Sequence, residues 1–458
     1  MKGMTLENIA KACGGEYFGS ENLKSETVKG IVIDSRKVEE GFLFVPIKGN
    51  RVDGHDFIPQ VFSMGALCVL SEKKLENEER PYILVESTTK ALKSIAGFYR
   101  SELGIKVVGI SGSVGKTSTK EMIASVLGTK YNVLKTEGNF NNEIGLPLTI
   151  FRLTEEHEIA VLEMGISNFG EMTRLAKVAK PDVCVLTNIG YCHLEDLKDR
   201  DGVLKAKTEM FEYINDNGKI VLNGDDDKLS TVKNVGNITP VFYGKNTTNN
   251  VYADNIENLG IEGTKCDIHF KDSKIGVNIG IPGEHMVLNA LAAATVGKCM
   301  GLSDDEIKTG IDNATTIGGR CNIIRENEIT IIDDCYNANP VSVKAGIDLL
   351  STASSRKIAI LGDMFELGEN ENELHYDVGK YAAEKGLDFL ICIGEHSRYI
   401  HKGAADAGTE CRVSYRQDKE GIDKVLKRFI HKGDTILVKA SHAMGFEEIV
   451  SILKQLEL

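Results

Sequence analysis

Residues 105–127 read Ile-Lys-Val-Val-Gly-Ile-Ser-Gly-Ser-Val-Gly-Lys-Thr-Ser-Thr-Lys-Glu-Met-Ile-Ala-Ser-Val-Leu. Ile105 to Ile110 is an apolar strand, and Ser118 to Leu127 has the apolar spacing of a helix. Between them, Gly112-Ser-Val-Gly-Lys-Thr117 is a shortened phosphate loop, because the full motif needs its first glycine where Ile110 stands. Backbone N–H groups from Gly112, Ser113, Val114 and Gly115 through to Ser118 can surround phosphate oxygens. The Lys116 ammonium can reach the terminal phosphates, and the Thr117 hydroxyl is suited to Mg²⁺. Gly109-x-x-Gly112-x-x-Gly115 has the wrong spacing for a dinucleotide fingerprint. The loop therefore reads as a nucleoside triphosphate site, against the bland alternative of a bare turn between strand and helix.

Outward from this unit, strands and helices alternate. Glu158–Leu162, Val183–Thr187 and Lys219–Leu222 are apolar runs, each followed by a turn and a helical pattern, as in a mostly parallel sheet buried on both faces. Upstream, Gly30–Asp34, Phe42–Val45, Ala66–Leu70 and Tyr82–Val85 read as strands of a smaller α/β domain, closed by a helix over Thr88–Leu103. Downstream, Thr330–Asp333, Lys357–Leu361, Phe389–Ile393 and Thr435–Val438 read as a doubly wound, Rossmann-like domain. The class is α/β in three domains, with expected bounds 1–103, 104–318 and 319–458. The 458 residues fit about three domains at roughly 150 residues each.

Composition narrows the function. Lys plus Arg number 54 against 67 Asp plus Glu, a net charge of −13, which opposes attraction to nucleic acid or anionic lipid. No apolar stretch approaches the ~20 residues that span a bilayer, and Met1 to Ala10 lacks a secretory pattern, so the expected compartment is the cytoplasm. The 10 cysteines include no Cys-x-x-Cys pair, and several lie in apolar runs, where a free thiol is a small buried hydrophobe. The 46 glycines imply many turns or close backbone approaches.

A phosphate loop alone leaves kinases, switches, motors and ligases open. Glu163 ends one strand and His193 follows Thr187-Asn-Ile-Gly190 after another, so both can reach the sheet edge that carries Thr117 and hold divalent cations there. Taken singly, Glu163 also reads as a solvated strand end and His193 as a loop histidine.

Across its length the sequence resembles the Mur ligases of peptidoglycan synthesis. The resemblance rests on Asp34-Ser-Arg36, Gly41-Phe-Leu-Phe44 and Lys48–His55. It continues in Gly112–Glu121, Asn139–Pro147, Leu162-Glu-Met-Gly165, Thr187–Gly190 with His193, and Ala206–Glu209. Asp333–Pro340 and Leu361–Gly368 are particular to the branch that adds D-alanyl-D-alanine. The resemblance implies ATP-dependent amide ligation of that dipeptide to UDP-N-acetylmuramoyl-tripeptide through an acyl phosphate, by a monomer that binds small molecules and neither nucleic acid nor membrane. It implies catalytic roles for Lys116, Glu163, His193 and Lys207, with Mg²⁺ held by Thr117, Glu163, His193 and a carbamylated Lys207. Unmodified, Lys207 is a cation and would repel Mg²⁺; read without the resemblance, it is a solvated helix lysine.

The same resemblance places Asn141 and Asn142 at the reaction site and Asn289 against the adenine, with Met286 where many family members have asparagine. Arg320, Asp334, Tyr336 and Asn337 become nucleotide contacts from the third domain, which would rotate about a hinge near Ile317-Gly-Gly319. Ser35, Arg36, Asp53 and His55 become the UDP-sugar site, and Ser441 a dipeptide contact. His442 stands where arginine is common, which opens the alternative of another D-alanyl dipeptide or a depsipeptide. Two further readings are a same-fold ligase of another type, such as a polyglutamylating enzyme, which would lack the first-domain signatures, and a non-catalytic ATP-binding switch, which would not keep Lys116, Thr117, Glu163, His193 and Lys207 together.

Overall fold

The computed structural model describes every residue except Asn50, Arg51, Tyr191, His193, Thr316, Ile317, Glu366, Glu457 and Leu458, and the side chains of Leu194, Glu195 and Glu369 are also left aside. Met1–Ala253, His269–Ser273 and Leu288–Gly310 make up one compact unit, and Asp254–Ile268, Lys274–Val287 and Ile311–Leu458 a second.

The first unit begins with a small sheet of β1 (Glu16–Phe18), β2 (Gly30–Val32), β3 (Phe42–Phe44), β4 (Cys68–Ser71) and β5 (Tyr82–Leu84), ordered β1-β5-β4-β3-β2. Only β1 runs antiparallel. The helix Thr88–Leu103 starts on a Ser87 cap and stops at Gly104, whose φ of 63° suits glycine. It buries Ala91, Leu92, Ile95, Ala96 and Tyr99, the i, i+3, i+4 face that the sequence predicts. The Tyr99 hydroxyl donates to Leu153 O at 2.6 Å, joining this helix to the segment that precedes the strand Ile159–Glu163.

That sheet contains β6 (Lys106–Ser111), β7 (Val133–Lys135), β8 (Ile159–Glu163), β9 (Val183–Leu186), β10 (Lys219–Asn223) and β11 (Val241–Gly244), all parallel and ordered β11-β10-β9-β6-β8-β7. The first residues of β12 (Val251–Asn258) pair with β11. The phosphate-loop strand β6 lies inside the sheet between β8 and β9, so its carboxyl end opens at the point where successive strands depart in opposite directions. Val107, Val108, Ile110, Ala160, Val161 and Leu162 are fully buried, which accounts for apolar runs without alternation.

In the second unit, β13 (Thr264–His269) and β14 (Lys274–Ile279) are neighbours, and β15 (Asn322–Glu326), β16 (Ile329–Asp333), β17 (Lys357–Gly362), β18 (Phe389–Ile393), β19 (Arg412–Arg416) and β20 (Thr435–Lys439) form a sheet ordered β15-β16-β20-β17-β18-β19. It is parallel except for the hairpin β15–β16, which turns through Asn327 and Glu328 at φ 51° and 60°. Strand ends differ by one to two residues from the sequence reading, and the P-loop helix begins at Lys116 rather than Ser118. All ten cysteines are free, and no helix among the described residues is long and apolar enough to cross a membrane.

Candidate active site

β6 ends at Ser111, and after four loop residues the helix Lys116–Leu127 begins. Gly112 has φ 149° and Gly115 φ 78°, and a Cβ on Gly112 would lie 1.9 Å from Thr187 Oγ1. Only glycine fits there. The segment after β9 braces the loop. Thr187 Oγ1 donates to Val114 O at 2.7 Å, Ser113 N–H donates to Asn188 O at 3.0 Å, and the Asn188 side-chain amide both accepts from Val114 N–H at 3.0 Å and donates to Val114 O at 3.0 Å. Gly190 N–H donates to Ser113 Oγ at 2.7 Å. Two of the amides that the sequence assigns to phosphate, those of Ser113 and Val114, are thus engaged. The helix that begins at Lys116 aims the N–H groups of its first turn toward the same loop, where an anion is favoured. Lys116 Nζ donates to Gly112 O at 2.9 Å and Ser113 O at 3.2 Å, folded over its own loop. Gly112→Ala should destabilise the protein by about 1–3 kcal/mol and weaken nucleotide binding about tenfold. Thermal unfolding and calorimetric titration with ATP check both effects.

Glu163 closes β8 opposite Ile110 of β6, and its side chain is buried at 2% exposure, so it is not a solvated strand end. Its N–H donates to Thr136 Oγ1 at 3.0 Å and its Oε1 accepts from Asn141 Nδ2 at 2.9 Å. Oε2 is buried with no hydrogen-bond partner among the described residues. Such an oxygen is costly unless a cation or donor meets it. No cluster of three His, Cys, Asp or Glu side chains able to hold a metal occurs among the described residues. A lone buried carboxylate on the strand end next to the phosphate loop suits Mg²⁺, which takes one or two protein oxygens and completes its shell with phosphates and water. His193 lies outside the described residues.

Asn142 Oδ1 caps the helix Gly145–Ile150, accepting from Ile144 N–H at 3.1 Å and Gly145 N–H at 2.8 Å. Lys116, Asn141, Asn142, Glu143 and Gly165 are among the residues lining a cavity of about 540 Å³. Glu143 accepts from Lys93 Nζ at 2.6 Å and from Arg174 Nε at 2.6 Å. Burial pushes its carboxyl up, but the bonds from Arg174 and Lys93 outweigh that and hold it below the usual range. Lys207, on the helix Arg200–Thr208, is 1% exposed and no solvated lysine. Burial, followed by the charge of Lys116, pushes its ammonium down to about 8. Asn289 Oδ1 accepts from Thr119 Oγ1 at 3.0 Å, which sets this side chain against the P-loop helix.

The expected UDP-sugar residues form two local pairs. Asp34 accepts from Arg36 Nε at 2.9 Å and Nη2 at 2.7 Å, and the guanidinium draws the carboxyl down to about 2. The cation of Arg36 is therefore already paired, within the turn that also holds Ser35. Asp53 Oδ1 lies 2.7 Å from His55 Nδ1, and His55 Nε2 accepts from Glu72 N–H at 3.2 Å. Both turns follow the carboxyl ends of the adjacent parallel strands β2 and β3.

In the second unit, Arg320 lies over the Tyr336 ring at 4.0 Å, and that ring tilts against His442 at 5.4 Å. Lys439 Nζ donates to Asp334 Oδ2 at 2.5 Å and to Asn337 O at 3.0 Å. Ser441 Oγ accepts from Phe365 N–H at 2.9 Å. Arg320, Asp334, Tyr336, Asn337 and Ser441 thus gather around the carboxyl ends of β16 and β20. Of the expected hinge, Ile317 lies outside the described residues, and Gly319 N–H donates to Asp333 Oδ2 at 2.8 Å.

Three family models match in sequence order: Mur ligase family, catalytic domain, at residues 27–100; Mur ligase middle domain at 110–297; and Mur ligase, glutamate ligase domain, at 319–442. A Bacillus subtilis (strain 168) protein named UDP-N-acetylmuramoyl-tripeptide--D-alanyl-D-alanine ligase is 38% identical over 456 residues, 98% of each chain. The chain belongs to the Mur ligase family. Its backbone matches a crystal structure of MurF from Acinetobacter baumannii at TM-score 0.92 with 29% identity over 99% of each chain. It also matches MurF from Thermotoga maritima in complex with ADP at TM-score 0.80 with 32% identity, over 93% of this chain and 97% of that one.

Sequence reading gave no individual role in this Mur ligase to Thr187, Asn188 or Glu143, although it quoted the motifs that contain them. Threonine and asparagine directly after a strand facing the phosphate loop were the available signal for the brace. For Glu143 there was none, because its partners are 50 and 31 residues away in sequence.

Proposed function

We propose that this Mur ligase joins D-alanyl-D-alanine to UDP-N-acetylmuramoyl-tripeptide, consuming ATP and giving the pentapeptide precursor of peptidoglycan, ADP and phosphate. The observation that carries the reading is the phosphate loop of β6 beside the unpartnered Glu163 Oε2 of β8, a phosphate seat and a cation seat on adjacent strand ends. The names of the Bacillus subtilis and Thermotoga maritima relatives support the choice of substrates and of an adenine nucleotide.

The tripeptide carboxylate attacks the γ-phosphorus and ADP leaves, giving an acyl phosphate. The dipeptide amine then attacks the acyl carbon, loses a proton, and phosphate departs as the C–N bond forms. Negative charge grows on the transferring oxygens in both steps, so the site needs fixed donors rather than a nucleophile. Lys116 and the loop from Gly112 to Ser118 hold phosphate, the Ser113 and Val114 amides serving to fix the loop's shape through Asn188. Thr117 and Glu163 would hold one Mg²⁺, Glu163 with His193 would help hold a second, and a carbamylated Lys207 would add an oxygen ligand; metal bound there would neutralise charge on the transferring phosphoryl group. Asn141 and Asn142 face the reacting groups. Asn289, Arg320, Asp334, Tyr336 and Asn337 bind the nucleotide. Ser35, Arg36, Asp53 and His55 bind the UDP-sugar, and Ser441 the dipeptide. The domains are 1–103, 104–318 and 319–458, supported by the three sheets. The enzyme acts as a monomer in the cytoplasm.

The exposed His442 ring against Tyr336 favours a second reading, in which a different D-alanyl dipeptide or a depsipeptide is taken. The protein is incubated with ATP, Mg²⁺, UDP-N-acetylmuramoyl-tripeptides carrying either diamino acid, and a panel of D-alanyl dipeptides and depsipeptides, and products are weighed by mass spectrometry. The expected product is the D-alanyl-D-alanine adduct. Preferential formation of another adduct selects the second reading, and no adduct with any partner overturns both.

A further inference from the structure

Lys120 lies one helical turn beyond Lys116 on the P-loop helix and is fully buried, with 0% exposure. A buried ammonium is costly unless it is paired and hydrogen-bonded, so its presence in place of an apolar side chain calls for a reason. Its Nζ donates to Thr136 O at 2.5 Å and lies 3.0 Å from Glu121 Oε1, a carboxylate that Lys135 also pairs with.

Thr136 follows β7 directly and is itself buried at 1% exposure. Its N–H donates to Val161 O at 3.0 Å, which holds it to β8, and its hydroxyl oxygen accepts from Glu163 N–H at 3.0 Å. From Thr136 the chain runs on to Asn141, whose amide donates to Glu163 Oε1 at 2.9 Å. Both restraints on Glu163, one on its backbone and one on its carboxylate, therefore come from a single segment, and Lys120 fastens the start of that segment to the P-loop helix.

We propose that Lys120 is a positioning residue that sets Glu163 relative to Thr117. The same rigid helix carries Thr117, so the Lys120–Thr136 bond fixes the spacing between the hydroxyl and the unpartnered carboxylate oxygen that together receive the cation. The inference rests on the reading of Glu163 as a cation ligand. An apolar side chain of equal length would fill the space and leave Thr136 O, and with it the carboxylate, free to shift. Outer partners of this kind alter metal affinity by about 10–100-fold when removed.

The test compares Lys120→Met, Lys120→Arg, Thr136→Val and Glu163→Gln in the full chain. Two quantities are read: Mn²⁺ affinity in the presence of ADP, by electron paramagnetic resonance, and the Mg²⁺ concentration for half-maximal ligation at saturating ATP. Lys120→Met is expected to weaken both about tenfold while metal-free ADP binding stays within about twofold of the parent, and Lys120→Arg, which keeps a cationic donor, is expected to recover most of the loss. If Lys120→Met does not fold, Thr136→Val cuts the same chain of contacts one link later and should show the same shift. Wild-type metal affinity in whichever of these two variants folds, alongside a weakened Glu163→Gln, overturns the role of Lys120. Wild-type metal affinity in Glu163→Gln instead overturns the reading of the cation site.

Discussion

Replacing Lys116 with alanine is expected to lower the rate of ligation by roughly a thousandfold, the scale seen when one preorganised donor to a developing oxyanion is removed, and to leave the fold standing. The loop does not need Lys116 to keep its shape. Thr187, Asn188 and Gly190 grip Ser113 and Val114 from the neighbouring strand end, and Gly112 and Gly115 hold positive φ because they carry no Cβ. A coupled phosphate-release assay reads the first effect and thermal unfolding the second. Full phosphate release by the variant would remove Lys116 from the reaction. A further consequence separates this site from an ordinary phosphate loop. The positive charge of Lys116 is one of the two main causes holding the Lys207 ammonium down near 8, so its removal makes Lys207 easier to protonate. The variant should therefore also take up less CO₂ at that lysine, measurable as a smaller carbamate signal in carbon NMR with labelled bicarbonate.

The second large effect is expected at Lys207. Two lysines whose charges disfavour each other, one of them 1% exposed, are an unfavourable arrangement until one changes sign. Addition of CO₂ to the neutral Lys207 amine, with loss of a proton, gives a carbamate anion and turns repulsion from Lys116 into attraction. Lys207→Ala should cost about 100-fold or more in rate, and formate or acetate should restore part of it by placing a carboxylate in the vacated space. No recovery at any concentration would favour a plain lysine. The pH dependence has a definite sign. CO₂ reacts only with the neutral amine, so as pH falls below about 8 the reactive fraction shrinks and activity in bicarbonate-depleted buffer is lost first. Wild-type activity should be regained when bicarbonate is added back at pH 8.

The phosphate loop was legible because strand, turn glycines, lysine and hydroxyl all fall within one short stretch, and local chemistry determines local shape. Glu163 was legible as a position but not as an environment. Its burial and its unpartnered oxygen arise because β8 lies between β6 and β7, an arrangement set by packing far along the chain. Lys207 and Lys120 look in sequence like any helix lysine, and only the layers around their helices put them inside. The β15–β16 hairpin was overlooked because its signal, Asn327, is followed by Glu328 rather than glycine, an uncommon residue for the left-handed region. Arg36 was legible as a cation, but its pairing with Asp34, two residues away, shows only once the turn is folded.

The Asn188 amide meets the N–H and the C=O of Val114 at once, much as one strand pairs with another. A glycine-containing loop in solution samples many shapes, and ordering it costs about 1–2 kcal/mol for each residue fixed. Here that cost is met when the protein folds, so a phosphate entering the loop encounters a mould already set, and its full electrostatic attraction goes into affinity rather than into ordering the chain.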